Sequence, residues 1–259
     1  MSRATSPASL FRRLIRRVGF DVVRVGGAQS TLPADFDGAS SATIRAVAPY
    51  TMTSPERLFA LCEAVRYVVR AGIEGAVVEC GVWRGGSMMA AARTLTECGV
   101  ADRDLYLFDT FEGMPEPGDR DVSIAGEHAS ALAAQGQRSE DDLFWCYAPL
   151  ERVRSALAAT GYPSSKVHFV PGRVEDTIPA AAPERIALLR LDTDWYDSTR
   201  HELECLYPRL MRGGVLILDD YGHWQGARQA ADEYLARHGG KLLLNRIDYT
   251  GRVAVKVFE

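Results

Sequence analysis

Two apolar runs in this 259-residue chain end on paired acids. In "IALLRLDTDWYDST" the run closes on Asp192 and Asp194, one residue apart, and in "GGVLILDDYGHW" it closes on adjacent Asp219 and Asp220. An unpaired carboxylate at the exit of a buried strand is costly, and like charges placed together call for a cation or a proton donor. If the two strands reach the same edge of one sheet, three or four carboxylates fall in a small volume. That suits a hard divalent cation, with octahedral Mg²⁺ the usual occupant. The competing structural use of such residues is as helix N-caps. Doubled acids at two strand ends exceed what capping requires.

A second group of residues sits in "GAVVECGVWRGGSMMAAARTL", which reads as strand, glycine-rich turn and helix. A dinucleotide fingerprint places glycine directly after the strand so that a pyrophosphate can meet the helix N-terminus. Here the strand ends on an acid instead, giving E-x-G-x-x-x-G-x-S from Glu79, Gly81, Gly85 and Ser87. A carboxylate there repels a pyrophosphate and suits a cofactor carrying an ammonium and a sulfonium, which points to S-adenosylmethionine. The next strand, in "DLYLFDTFEGMP", ends on Asp109 and Thr110, with Asp109 placed to accept hydrogen bonds from a ribose diol. Gly172 in "PGRVEDT" lets a third turn approach the adenine.

The elements that must position these residues alternate along the chain. "TSPERLFALCEAVRYVVRAG" has Ser54 as N-cap, Pro55 at the first helical position, an apolar stripe through Leu58, Leu61, Cys62, Val65, Val68 and Val69, and Gly72 as the stop. After it the pattern predicts strand 75–80, helix 86–97, strand 104–109, an irregular insert, strands 166–170 and 186–192, helix 198–211, strand 214–219 and helix 225–238. This alternation predicts a doubly wound, Rossmann-like, mostly parallel α/β sheet with helices on both faces. "KLLLNRIDYTGRVAVKVFE" adds a terminal antiparallel hairpin around "DYTG".

The predicted organisation is an N-terminal extension over 1–45 and one catalytic domain over 46–259. Within the extension, "SLFRRLIRRVGFDVVRV" (9–25) reads as a short basic amphipathic helix, for weak contact with an anionic membrane surface or for packing on the body or a second subunit. Residues 26–45, rich in Gly, Ser, Ala and Asp, read as a linker. Residues 1–25 hold six Arg and one Asp, a net of +5, so the remainder carries −9 against the overall −4. That balance excludes a general nucleic-acid binder. Five scattered cysteines without a C-x-x-C pair argue against a disulfide framework and for a reducing, cytoplasmic setting. No apolar run approaches the ~20 residues of a bilayer span.

Taken in order, "VVECGVWRGGSMMAA", "LYLFDTFEGMPEP", "LRLDTDWYDST" and "GGVLILDDYGHWQGARQAADEY" resemble the macrocin O-methyltransferase family, sugar O-methyltransferases of macrolide and aminocoumarin biosynthesis, over roughly residues 50–238. The chain resembles catechol O-methyltransferases more distantly. The resemblance implies a class I methyltransferase fold, S-adenosylmethionine as donor and Mg²⁺ held by Asp192, Asp219 and Asp220. It leaves open which glycoside or glycan is the acceptor.

A sugar hydroxyl is a poor nucleophile, so methyl transfer to it asks for a base. Asp194 is the first choice, Asp192 doubling as ligand and base the second, and His223 the third, with an ordinary surface histidine an equal reading of His223. Trp195, Tyr196, Tyr221 and Trp224 cluster at the same strand ends, where flat rings stack on the faces of a sugar. The insert 111–148, with Phe144, Trp145 and Tyr147 near its end, reads as a lid that excludes water. A homo-oligomer is expected. The alternative function is a metal-dependent glycosyltransferase using "DTD" to hold a nucleotide sugar. A noncatalytic cofactor-binding scaffold is a third class.

Overall fold

The computed structural model describes residues 32–238 and 242–257. The basic segment 9–25 lies outside them. Part of the expected linker is a helix, α1 (Gly38–Val47), capped by Asp37, whose carboxylate accepts from the backbone N–H groups of Ala39 and Ser40 at 2.9 Å each. Its inward positions are Ser40, Thr43, Ile44 and Val47, a helical stripe in which half the members are hydroxyl residues. Composition therefore read as linker where position makes a helix, and the compact unit begins at Asp37.

After a 3₁₀ turn over Ala48–Tyr50 comes α2 (Pro55–Arg70), with Ser54 accepting from the Arg57 N–H at 3.2 Å and Gly72 leaving the helix at φ 63°. The chain then runs through β1 (Ala76–Cys80), α3 (Gly86–Glu97), β2 (Leu105–Asp109), α4 (Ala129–Ala133), α5 (Leu150–Ala158), β3 (Val167–Pro171) and α6 (Val174–Thr177). The second half comprises β4 (Ile186–Leu191), α7 (Tyr196–Leu206), β5 (Leu210–Leu218), α8 (Gln225–Arg237), β6 (Asn245–Arg246) and β7 (Arg252–Val255).

These strands form one sheet ordered β3-β2-β1-β4-β5-β7-β6, parallel from β3 to β5 and closed by the antiparallel pair β7 and β6. The α/β expectation and the terminal hairpin are both met. Strand order reverses between β1 and β4, and in such sheets ligands bind beyond the carboxyl ends of the strands at that reversal. All five residues of β1 and all six of β4 are buried, as expected of strands covered by helices on both faces.

Two boundaries differ from the sequence reading for local reasons. The helix expected over 198–211 stops at Leu206, because Pro208 enters a 3₁₀ turn over Tyr207–Arg209. β5 starts at Leu210, before the double glycine, and bulges against β4: Ile186 faces Leu210 but Leu188 faces Val215. Gly213, at φ 82°, supplies the left-handed turn within that bulge.

Candidate active site

At the reversal, β1 and β4 come so close that a side chain at Gly81 would overlap the Asp192 carbonyl. The Gly81 N–H donates to Phe108 on β2 and the Asp192 N–H to Cys80 on β1, both at 2.9 Å. The turn glycine is thus required by backbone approach, and it opens a cavity of about 390 Å³ above the strand ends. Of the residues singled out in the sequence, Gly81, Ser87, Asp109, Thr110, Gly172, Asp192, Asp194, Asp219, Asp220 and His223 line it. Among the aromatics, Trp195, Trp224 and Phe144 do so as well.

Glu79 and Gly85 are not in the wall. Gly85 sits at φ 89° as the N-cap of α3, packed toward Val153 and Leu157 of α5. Glu79 lies beneath the floor, 2% exposed, and faces Arg190 across the β1–β4 ladder. Tyr196 and Tyr221 turn away, bonding Glu233 and Asp232 respectively, each at 2.7 Å.

At the β2 end, Asp109 accepts from the N–H groups of Val82 at 2.6 Å and Trp83 at 3.0 Å with one oxygen, and of Phe111 at 2.6 Å with the other. It ties the glycine turn to the loop after β2 while remaining in the cavity wall. Burial raises its acid above the ordinary carboxylate range, and those three donors oppose the rise.

The four aspartates do converge. Asp192, Asp219 and Asp220 each bring a carboxylate oxygen within 4.8 Å of the others. The ladder explains why: Leu191 of β4 is opposite Leu218 of β5, so the residues that follow emerge side by side. The Asp194 N–H donates to Asp220 at 3.2 Å, folding the second acid of the D-x-D pair over the same spot. Burial, then the neighbouring Asp192 carboxylate, push the Asp220 acid up to about 7. Burial and Asp220 likewise raise Asp194 well above its ordinary value.

The residue that organises this cluster is Arg190, which the sequence reading passed over. Its guanidinium, 3% exposed, donates to Glu79 and Asp219 at 2.5 Å, to Asp192 at 2.7 Å and to Thr53 at 3.0 Å. Arg57 of α2 donates to the other oxygen of Asp219. The signal was present, since an arginine inside "IALLRLD" two residues before Asp192 shares its face of the strand. A buried arginine at such a place must find carboxylates.

The insert 111–148 is packed into the site. Trp195 Nε1 donates to the Pro115 carbonyl at 3.0 Å, and the Tyr196 N–H to Asp121 at 2.8 Å. Phe144, Met114 and Leu132 pack on buried Trp195 and Trp224, and all of these but Leu132 add apolar surface to the cavity that the carboxylates line. His223, half-buried, carries a pKa below its ordinary value, chiefly from desolvation, and its Nδ1 is 3.4 Å from the Tyr249 hydroxyl.

A family model for macrocin-O-methyltransferase (TylF) matches residues 12–256. The chain belongs to the macrocin O-methyltransferase family. It is an O-methyltransferase, and the glycosyltransferase and scaffold alternatives fall. Members it resembles include the 8-demethyl-8-(2,3-dimethoxy-alpha-L-rhamnosyl)-tetracenomycin-C 4'-O-methyltransferase of Streptomyces olivaceus, 38% identical over 78% of this chain and 74% of that one. Another is the mycinamicin III 3''-O-methyltransferase of Micromonospora griseorubida, 36% identical over 78% and 76%. Among solved structures, the O-methyltransferase NovP superposes with a TM-score of 0.71 at 31% identity, over 81% of this family member and 83% of NovP.

Proposed function

We propose that this O-methyltransferase moves the methyl group of S-adenosylmethionine to a hydroxyl of a sugar in a small-molecule glycoside, with Mg²⁺ held by Asp192, Asp219 and Asp220 and with Asp194 as the base. One observation carries the reading: the carboxylates at the ends of β4 and β5 share a cavity with the glycine turn and Asp109 at the ends of β1 and β2. The family relatives support the acceptor class, since one is named for a 4'-O-methylation of a rhamnosyl-tetracenomycin and another for the 3''-O-methylation of mycinamicin III.

The donor set fits a cation. Asp192, Asp194, Asp219, Asp220 and Glu79 outnumber the guanidinium groups of Arg190 and Arg57 that face them, and burial and crowding raise the acids of Asp194 and Asp220, so the cluster calls for a further cation or for protons. The arginines engage one oxygen of Asp192 and both of Asp219, but each oxygen keeps a second lone pair for a metal. The cofactor end fits as well, because the glycine turn after β1 lines the cavity with the Asp109 carboxylate beside it. When bound, S-adenosylmethionine supplies an electrophilic methyl group, and a divalent cation supplies a Lewis acid that lowers a hydroxyl pKa.

The chain's own residues do the rest. Asp194 takes the hydroxyl proton on a carboxylate oxygen, positioned by its N–H bond to Asp220. Arg190 fixes Asp192 and Asp219 so that their orientation precedes binding. Phe144, Trp195 and Trp224 offer flat faces to a sugar ring and, with Met114, keep water from the reacting groups.

Calorimetry with S-adenosylhomocysteine and with a nucleotide sugar tests the cofactor, and methyl transfer to a panel of glycosides tests the acceptor. Binding of S-adenosylhomocysteine, with product masses raised by one methyl group, is the expected result. No binding of S-adenosylhomocysteine contradicts the reading.

A further inference from the structure

Thr193 lies between the two aspartates at the exit of β4, and Asp194 follows at φ 64°, in the left-handed region that a non-glycine residue rarely adopts. The Trp195 N–H donates to the Thr193 carbonyl at 2.7 Å, so the chain makes a three-residue γ-turn with Asp194 at its apex. Such a conformation persists only where the surroundings over-determine it.

Several groups hold the turn. Asp220 accepts from the Asp194 N–H, Ser198 Oγ donates to the Trp195 carbonyl at 3.1 Å, and Asp121 accepts from the Tyr196 N–H. The Thr193 side chain is held from below: its hydroxyl donates to Glu202 on α7, 3.0 Å from Oε1 and 3.2 Å from Oε2. Glu202 is fully buried, and it does not line the cavity. Packing alone does not call for a carboxyl there, since the neighbouring inward positions of α7 are Leu203 and Leu206. A buried acid is retained where its hydrogen bond matters.

We propose that Glu202 is a positioning residue that, through the Thr193 hydroxyl, holds the strained turn presenting the Asp194 carboxyl to the acceptor. The proposal rests on Asp194 being the base. Without the anchor the turn relaxes and the Asp194 carboxyl leaves its place, while the cofactor end on β1, β2 and β3 stays intact.

The test compares Thr193→Val, Thr193→Ser, Glu202→Leu and Glu202→Gln with Asp194→Asn in methyl-transfer kinetics and in S-adenosylhomocysteine calorimetry. Thr193→Val keeps the shape and removes the donor, and it remains informative should Glu202→Leu fail to fold. Both are expected to lower kcat by about 10- to 100-fold with cofactor affinity held within about twofold. Thr193→Ser and Glu202→Gln keep a donor and an acceptor, and each should return kcat to within about threefold of the parent. The inference is overturned if Thr193→Val runs at the parent rate while Asp194→Asn does not. It is also overturned if Thr193→Val loses cofactor affinity in step with kcat, which marks a general structural defect. Asp194→Asn at the parent rate removes the base reading itself, whatever the Thr193 variants do, and the inference with it.

Discussion

The acids at this site differ in their surroundings, and those decide what each substitution does. Asp219 and Asp220 belong to the proposed cation site, so Asp219→Ala and Asp220→Ala should each remove most methyl transfer while S-adenosylmethionine affinity stays within a few-fold. Asp109 holds the glycine turn of the proposed cofactor end through two backbone donors and the loop after β2 through a third. Losing hydrogen bonds to a charged group costs about 1.5–3 kcal/mol, so Asp109→Ala should weaken S-adenosylhomocysteine binding at least about tenfold by calorimetry. Glu79 lies below the cavity against Arg190, so Glu79→Gln is expected to act on the carboxylate cluster more than on cofactor affinity. The aspartates and the turn glycine were legible in the sequence because each ends an apolar run. Arg190 was signalled only by its place two residues before Asp192, and only the ladder brings it opposite Glu79, while Glu202 gave no signal because its partner Thr193 lies on the turn after β4.

The elements that carry these residues depend on charge as well as on apolar packing. Arg190 sits next to the last residue of β4, and removing one partner of a buried ion pair leaves the others uncompensated, at roughly 3–5 kcal/mol. Arg190→Met should therefore lower the thermal midpoint markedly and abolish activity, and scanning calorimetry with a turnover assay checks both. At α1, the Ser40 hydroxyl and N–H, with Arg66, hold the Asp37 carboxyl well below the ordinary carboxylate range. A depressed folded pKa contributes stability above the unfolded value near ~4 and loses it as pH falls through the folded one. Asp37→Ala should cost about 1 kcal/mol at neutral pH, and that cost should fade in acid. Denaturant midpoints measured across pH 2–7 would contradict this if the cost grew on acidification. The same helix shows the limit of the pattern: Ser40 and Thr43 hide an inward stripe that only burial reveals. Pro208, which stops α7, was visible in the chain, yet the expected helix ran past it to 211.

At the scale of the whole molecule, the strand order puts two half-sites at one reversal, with the glycine turn of β1 and Asp109 of β2 on one side and the acids of β4 and β5 on the other. Alternation of elements made that sheet legible, and the ordered motifs made the family legible. The insert was legible as to place only, because the bonds fastening it to Trp195, Tyr196 and Trp224 each have a backbone group on at least one side and so leave no paired side-chain pattern. Among the described residues no helix is long and apolar enough to cross a membrane. The central claim is that the β4–β5 carboxylates act through a divalent cation on methyl transfer to a sugar hydroxyl. It is tested most directly by following transfer of a labelled methyl group from S-adenosylmethionine to a glycoside with chelator-stripped protein, before and after adding Mg²⁺. No transfer in chelator and recovery on adding Mg²⁺, with no recovery in Asp220→Ala, is the predicted result. Full transfer in excess chelator contradicts it.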